Sequence, residues 1–220
     1  MSLSRTRSAA SLFSFDLERG DGGEVAGADE AGRGCLAGPI VAAAVVFDCS
    51  LYGSRSFEPL VDRLDDSKRL SAGAREGLYP FIIRNAVRLS IVSAGNMTID
   101  EDGLHRTNLR LLEASLLQLD PCPEHALVDG YALPGSLLEH QPVKKGDARS
   151  ACIAAASVLA KVTRDRIMRS LHHQFPQYGF ERHVGYATKA HRAAIARHGL
   201  CRLHRRSFSM GPLPGPEKAG

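Results

Sequence analysis

Four acidic residues stand where an apolar run stops or a helix begins. Asp29 and Glu30 close the short run that starts at Val25, Asp129 closes HALVD (125–129), and Asp147 precedes a long Ala-rich stretch. A carboxylate buried at a strand end is costly unless it is paired or holds a cation. Four such oxygen donors gathered together would suit hard divalent ions, Mg²⁺ or Mn²⁺. Two ions about 3.5–4 Å apart can activate a water and stabilise a departing oxygen in phosphoryl transfer. Each acid also has an ordinary reading. Asp29 and Glu30 could be strand-end polar residues, Asp129–Gly130 a turn pair, and Asp147 the N-cap of the following helix. Spacing alone does not bring the four together, so both readings stand at this level.

The elements that would position them follow from hydrophobic period and turn chemistry. Val25–Asp29 and Pro39–Phe47 read as strands, joined as a hairpin by a Gly-rich turn. Ser71 caps a helix over Ala72–Asn85, and RLSIVSA (88–94) alternates like a half-buried strand. Thr107–Leu119 carries a leucine stripe. Short strands are expected over His125–Asp129 and Leu137–Val143, a long helix over Ala148–Phe175, and a basic helix over Thr188–Arg197 closed by Gly199. Strands that come early as a hairpin and later alternate with helices imply an α/β fold with a mixed sheet rather than a doubly wound parallel one.

The chain has 220 residues, 44% hydrophobic and 24% charged, the proportions of a globular domain and not of a coiled coil, a collagen-like repeat or a disordered chain. No uncharged stretch is long enough to span a bilayer. Five scattered cysteines without a CxxC pair argue against a disulfide framework or zinc site and for a reducing, cytoplasmic compartment. Residues 1–22 read as a flexible lead-in, 23–208 as the domain, and 209–220 as a loose Pro/Gly tail. The formal charge of +4 hides an asymmetry: residues 1–143 sum to −7, while 144–206 sum to +11 and hold six of the nine histidines. Such an excess suits a polyanion, or an ordinary solvated helix surface.

GADEAGRGCLAGPIVAAAVVF (27–47), LDDSKRLS (64–71), LVDG (127–130), KKGDARSACIAAASVLAKVTRDR (144–166), YGFERHVGYATKAH (178–191) and HRRSF (204–208) together resemble ribonuclease HII. The blocks keep the family's order and span nearly the whole chain outside its ends. The resemblance implies an RNase H-like mixed five-stranded sheet flanked by helices, with a small C-terminal helical portion. It implies an endonuclease that hydrolyses RNA within RNA–DNA hybrids and nicks duplex DNA 5′ of an embedded ribonucleotide, using two Mg²⁺ or Mn²⁺ ions; a monomer is expected. The family's metal-binding and catalytic acids fall on Asp29, Glu30, Asp129 and Asp147. Gly32-Arg33-Gly34 matches the loop that contacts the ribonucleotide around its 2′-OH, and glycines there allow close backbone approach. Tyr186 matches the tyrosine that packs on the following sugar, where a second 2′-OH would be crowded.

Lys68 and Arg149, with Lys161 and Arg164, are further candidates for holding the duplex backbone. Lys68 could equally form a surface cluster with Asp65 and Asp66. His183 reads as either a substrate contact or a satisfied loop histidine, and Asp165 as the partner of a nearby arginine. Three positions depart from the pattern: Cys35 for the usual proline, Ala28 for a larger aliphatic, and Tyr131 for the common asparagine. The tail shows no clear docking motif for a sliding clamp. Two rival functions remain at this level, a ribonuclease HIII-like hybrid nuclease indifferent to junctions and a non-catalytic hybrid-binding protein.

Overall fold

The structure, a computed structural model, describes residues 3–21, 23–65 and 67–211, with side chains from residue 11 onward. Five strands, β1 Glu24–Ala31, β2 Ile40–Asp48, β3 Arg88–Ala94, β4 Ala126–Asp129 and β5 His140–Val143, form one sheet in the order β3-β2-β1-β4-β5. β1 to β3 are antiparallel neighbours, whereas β4 and β5 run parallel to β1, so the sheet is mixed as the sequence implies. The helices are α1 Leu3–Arg19, α2 Glu58–Arg63, α3 Ala72–Asn85, α4 Asn96–Asp102, α5 Leu104–Leu117, α6 Ala151–His172, α7 Phe180–His183 and α8 Lys189–His198. Among the described residues no helix is long and apolar enough to cross a membrane.

The period of two along β2 divides the core. Val41, Ala43, Val45 and Phe47 face α6, with α1, α2 and α3 around it, while Ile40, Ala42, Ala44 and Val46 face α5. Helix α6 lies close against β1 because the facing residues are small. A Cβ on Gly27 would stand 2.5 Å from the Cys152 and Ile153 backbone, and Ala154, Ala155 and Ala156 are fully buried beside it. A satellite core of Leu36, Met168, Tyr178, Phe180, Val184 and Ile195 packs the C-terminal helices, α7 and α8, against the end of α6 and the β1–β2 turn.

Two expectations change. The lead-in expected over residues 1–22 holds α1, which packs onto the domain: Leu12 and Phe13 are buried, and Phe13 meets Tyr52 and Phe57 edge-on. Asp16 is buried too, and its Oδ2 accepts the Cys152 N–H at 2.9 Å in the first turn of α6. The tail expected over 209–220 lies outside the described residues from 212 on, and Met210 packs on the satellite core. Asp147 does not cap α6. Ser150 does, accepting from Ile153 N at 3.2 Å, and Asp147 sits in the preceding 3-10 turn.

Candidate active site

The parallel register pairs Ala28 with Val128, so Asp29 and Asp129 emerge side by side at the ends of adjacent strands although 100 positions separate them in sequence. After β5 the chain enters the turn Gly146–Ala148, where Gly146 N–H donates to Asp129 Oδ1 at 2.6 Å and sets Asp147 beside it. Lys68, on the loop before α3, donates to Asp147 Oδ2 at 2.7 Å. Arg75 of α3 braces that loop through the Ser67 and Leu70 carbonyls. Ser67 in turn meets Ser157 of α6 at 2.7 Å, and Ser157 hydrogen-bonds Asp29.

Burial first, then the charges of Glu30 and Asp129, hold the Asp29 carboxyl well above the usual range. Burial raises Glu30 as well, with Arg33 opposing and Asp129 adding to the shift. Asp129 is raised by burial and by Asp147, against the Gly146 N–H and Lys68. Glu30 Oε2 is buried without a hydrogen-bond partner. Nearby Asn108 of α5 is fully buried with neither amide atom in a hydrogen bond of ordinary geometry, yet it eases the Glu30 shift. The sequence reading missed Asn108 and Arg75, since an isolated Asn in a helix or Arg on its surface carries no distinguishing signal. Among the described residues no three His, Cys, Asp or Glu side chains close around a single point as a metal site.

Asp29, Glu30 and Asp129 share a pocket of about 330 Å³ with Gly32–Gly34, Lys68, Lys161 and Tyr186. The Gly-Arg-Gly loop is held from behind. Arg164 and Arg205, both fully buried, donate only to backbone carbonyls: Arg164 to Pro39, Val184 and Ala37, and Arg205 to Gly38, Pro39 and Arg33. Gly32 has φ +102°, and a Cβ there would collide with Arg164 Nε. Arg164 therefore faces inward, not toward a duplex backbone. Arg33 reaches Glu30 at 3.4 Å and lies over the Tyr131 ring at 4.9 Å. Tyr131, one of the three departures from the family pattern, thus supports the loop.

Tyr186 is half-exposed, bridges Cys35 through its backbone, and has Lys161 Nζ 4.9 Å from its ring centre. Arg149 lies outside the pocket with its guanidinium over Phe15 of α1 at 4.9 Å. His183 is buried and satisfied, its Nε2 bonded to the Tyr178 carbonyl. Asp165 pairs with Lys161 at 2.8 Å and not with an arginine. Asp66 lies outside the described residues, and Asp65 pairs with Arg69.

A mixed sheet in this strand order, with acids at adjacent strand ends and a glycine loop opening beside them, defines an RNase H-like nuclease. Comparison with known proteins specifies it further. The family profile for Ribonuclease HII matches residues 26–210. The ribonuclease HII of Parafrankia sp. (strain EAN1pec) is 46% identical over 204 residues, covering 92% of this chain and 82% of that one. The crystal structure of ribonuclease H2 from Pyrococcus horikoshii OT3 superposes with a TM-score of 0.70 at 27% identity, covering 85% of this chain and 94% of that chain. The RNase HII in the PCNA:RNase HII complex from Archaeoglobus fulgidus gives 0.65 at 30% identity, covering 83% and 92%. The chain belongs to the ribonuclease HII family.

Proposed function

We propose that this site hydrolyses the RNA strand of RNA–DNA hybrids and nicks duplex DNA on the 5′ side of an embedded ribonucleotide, leaving 5′-phosphate and 3′-hydroxyl ends. The carrying observation is that mutually repelling carboxylates share one pocket with the Gly32–Gly34 loop and the Tyr186 ring.

The donor set fits hard divalent ions. Its atoms are all carboxylate oxygens, three of its four groups are raised by burial and mutual repulsion, and Glu30 Oε2 is buried without a partner. Asp29, Glu30, Asp129 and Asp147 would hold two Mg²⁺ or Mn²⁺ ions, which supply Lewis-acid charge and a water nucleophile at neutral pH for in-line displacement at phosphorus. The protein's own groups do the rest. Asp129, fixed by Gly146, and Asp147, fixed by Lys68, keep the acids oriented before substrate arrives. The Gly32–Gly34 backbone lies open to a ribose 2′-OH, and Arg33 offers a guanidinium to the adjacent phosphate. The Tyr186 ring packs on the next sugar and rejects a second 2′-OH. Lys68 at the pocket and Arg149 farther out hold duplex phosphates by charge.

The test uses a labelled DNA duplex with one ribonucleotide, in Mg²⁺, in Mn²⁺ and in EDTA, with all-DNA and continuous-hybrid controls. Metal-dependent nicking 5′ of the ribonucleotide is expected. A cyclic phosphate product would overturn the water route. Cutting of the continuous hybrid alone would remove the roles given to Gly32–Gly34 and Tyr186, and tight binding without cutting in either metal would leave a hybrid-binding protein.

A further inference from the structure

Behind Tyr186 lies a chain of buried imidazoles whose shortest backbone contacts set the polarity of its hydrogen bonds. His204 Nδ1 lies 2.9 Å from the Cys201 N–H and 3.3 Å from the Cys201 carbonyl. A backbone N–H only donates, and its shorter contact makes this nitrogen the acceptor, which puts the proton of neutral His204 on Nε2. At the other end His191 Nδ1 is 2.9 Å from the Tyr186 carbonyl, which only accepts, so His191 carries its proton there. The two Nε2 atoms face each other at 3.1 Å, one donor and one acceptor. His191 and His204 are 0% and 1% exposed. His183 stacks on His191 at 4.4 Å, and Phe180 meets it edge-on. Burial lowers all three histidines, His191 to about 4, which keeps the chain neutral.

The chain joins parts of the backbone that the site needs in register. His204 bridges Ala37, Tyr186 bridges Cys35, and Leu36 is bonded on one side to Gly185 and on the other to Arg205. The segment after the Gly-Arg-Gly loop is therefore clamped between the segments that carry Tyr186 and His204, and the imidazoles close the circuit behind it. Val184 and Gly185, just before Tyr186, both have positive φ, 43° and 87°. A backbone so placed needs fixed partners to hold one geometry.

We propose that His204 and His191 are positioning residues that fix the Tyr186 carbonyl, and with it the ring that discriminates the sugar after the ribonucleotide. The proposal rests on the reading of Tyr186 given above. His204 Nε2–H donates to His191, His191 Nδ1–H donates to Tyr186, and loss of either donor lets the ring shift while the carboxylates stay in place.

The experiment measures kcat and KM on a single-ribonucleotide duplex and on a continuous hybrid, and takes the ratio of the two kcat/KM values. Asparagine mimics Nδ1 and glutamine mimics Nε2, so the pairs separate hydrogen bonding from bulk. His191→Asn keeps a donor for Tyr186 and His191→Gln does not. His204→Gln keeps the donor to His191 and His204→Asn does not. His191→Gln and His204→Asn are expected to lower the ratio about tenfold, a difference of about 1.4 kcal/mol in transition-state discrimination, and their partners to hold it within about twofold of the parent. If His191→Gln does not fold, the His204 pair decides alone. Equal losses on both substrates, or an unchanged ratio in a folded donor-loss variant, would overturn the relay. Tyr186→Ala serves as reference: a fall in its ratio with none in the histidine variants defeats the relay only, whereas no fall defeats the reading of Tyr186 and the relay with it.

Discussion

Replacing Asp29 by asparagine should abolish cleavage and, in EDTA, make the protein more stable. Asp29 is 4% exposed, and burial together with the charges of Glu30 and Asp129 raises its pKa well above the ordinary value. Its carboxylate is thus a burden on the metal-free fold at neutral pH. Its described hydrogen bonds come from the Glu30 N–H, at 2.7 Å on Oδ1, and from Ser157. An amide oxygen can keep the first of these, so the substitution removes repulsion and desolvation while leaving a buried acceptor satisfied. Relieving an active-site group in this way recovers about 1–2 kcal/mol. For a chain of this size that is a rise in Tm of about 2–8 °C.

The sign with pH follows. Asp29, Glu30 and Asp129 are all raised in the folded state. Their contribution to stability is full below the unfolded values, 3.8 for Asp and 4.5 for Glu, and is lost as pH rises through the higher folded values. Metal-free stability from these groups therefore declines from acid toward neutral pH, and Asp29→Asn should flatten the decline. Thermal unfolding in EDTA across pH 4–8 measures this on the scale of the ~1 unit spread of protein carboxyl pKa values. Adding Mn²⁺ reverses the order, because binding at about 100 times Kd stabilises the parent by about 2.7 kcal/mol and the variant has lost a ligand. An Asn variant less stable than the parent in EDTA by about 1 kcal/mol, a common cost of substitution, would refute the electrostatic account of the site.

Lys68→Met removes the cation on Asp147 and should lower kcat/KM on a single-ribonucleotide duplex by about 10²-fold with little change in Tm, since Lys68 is mostly exposed; steady-state cleavage beside a melting curve checks both. Gly32→Ala forces a Cβ into Arg164 at φ +102°, and should cost about 1–3 kcal/mol of stability and abolish junction nicking, read by denaturant titration and the same duplex. Phe13→Ala removes the ring that packs edge-on against Tyr52 and Phe57 and should destabilise by about 3–5 kcal/mol, an effect a loose lead-in would not give; urea unfolding decides.

What the sequence made legible were features with a local cause. The helix over Ala72–Asn85 was readable to the residue because Ser71 accepts the Ala74 N–H and so starts it. The hairpin was readable because β2 is apolar without interruption between a Gly-Pro and an Asp. Helix α1 was not. Its Ser- and Arg-rich segment has no acidic first turn, and its anchors, Phe13 on Phe57 and Asp16 on Cys152, are contacts with distant parts of the chain. The approach of Asp129 to Asp29 and Glu30 was equally beyond spacing, because it depends on β4 pairing parallel with β1.

The basic run in the last third shows why composition alone misleads. Arg164 and Arg205 point into the protein and donate to carbonyls, and Arg166 and Arg169 are held by Glu76 of α3. Much of the apparent polyanion surface is therefore structural. Two buried cations without a carboxylate in contact are expensive to hold, and burial together with the neighbouring Arg164 brings Arg205 down to about 10. What they secure is the loop from Arg33 to Pro39, which Gly32 allows to turn and which the histidine chain ties to Tyr186. On one side of the pocket repelling carboxylates strain the fold, and on the other inward-facing arginines do. The carboxylates face the pocket while the arginines act through the loop they hold, so the placement of charge, more than the net charge, shapes this site.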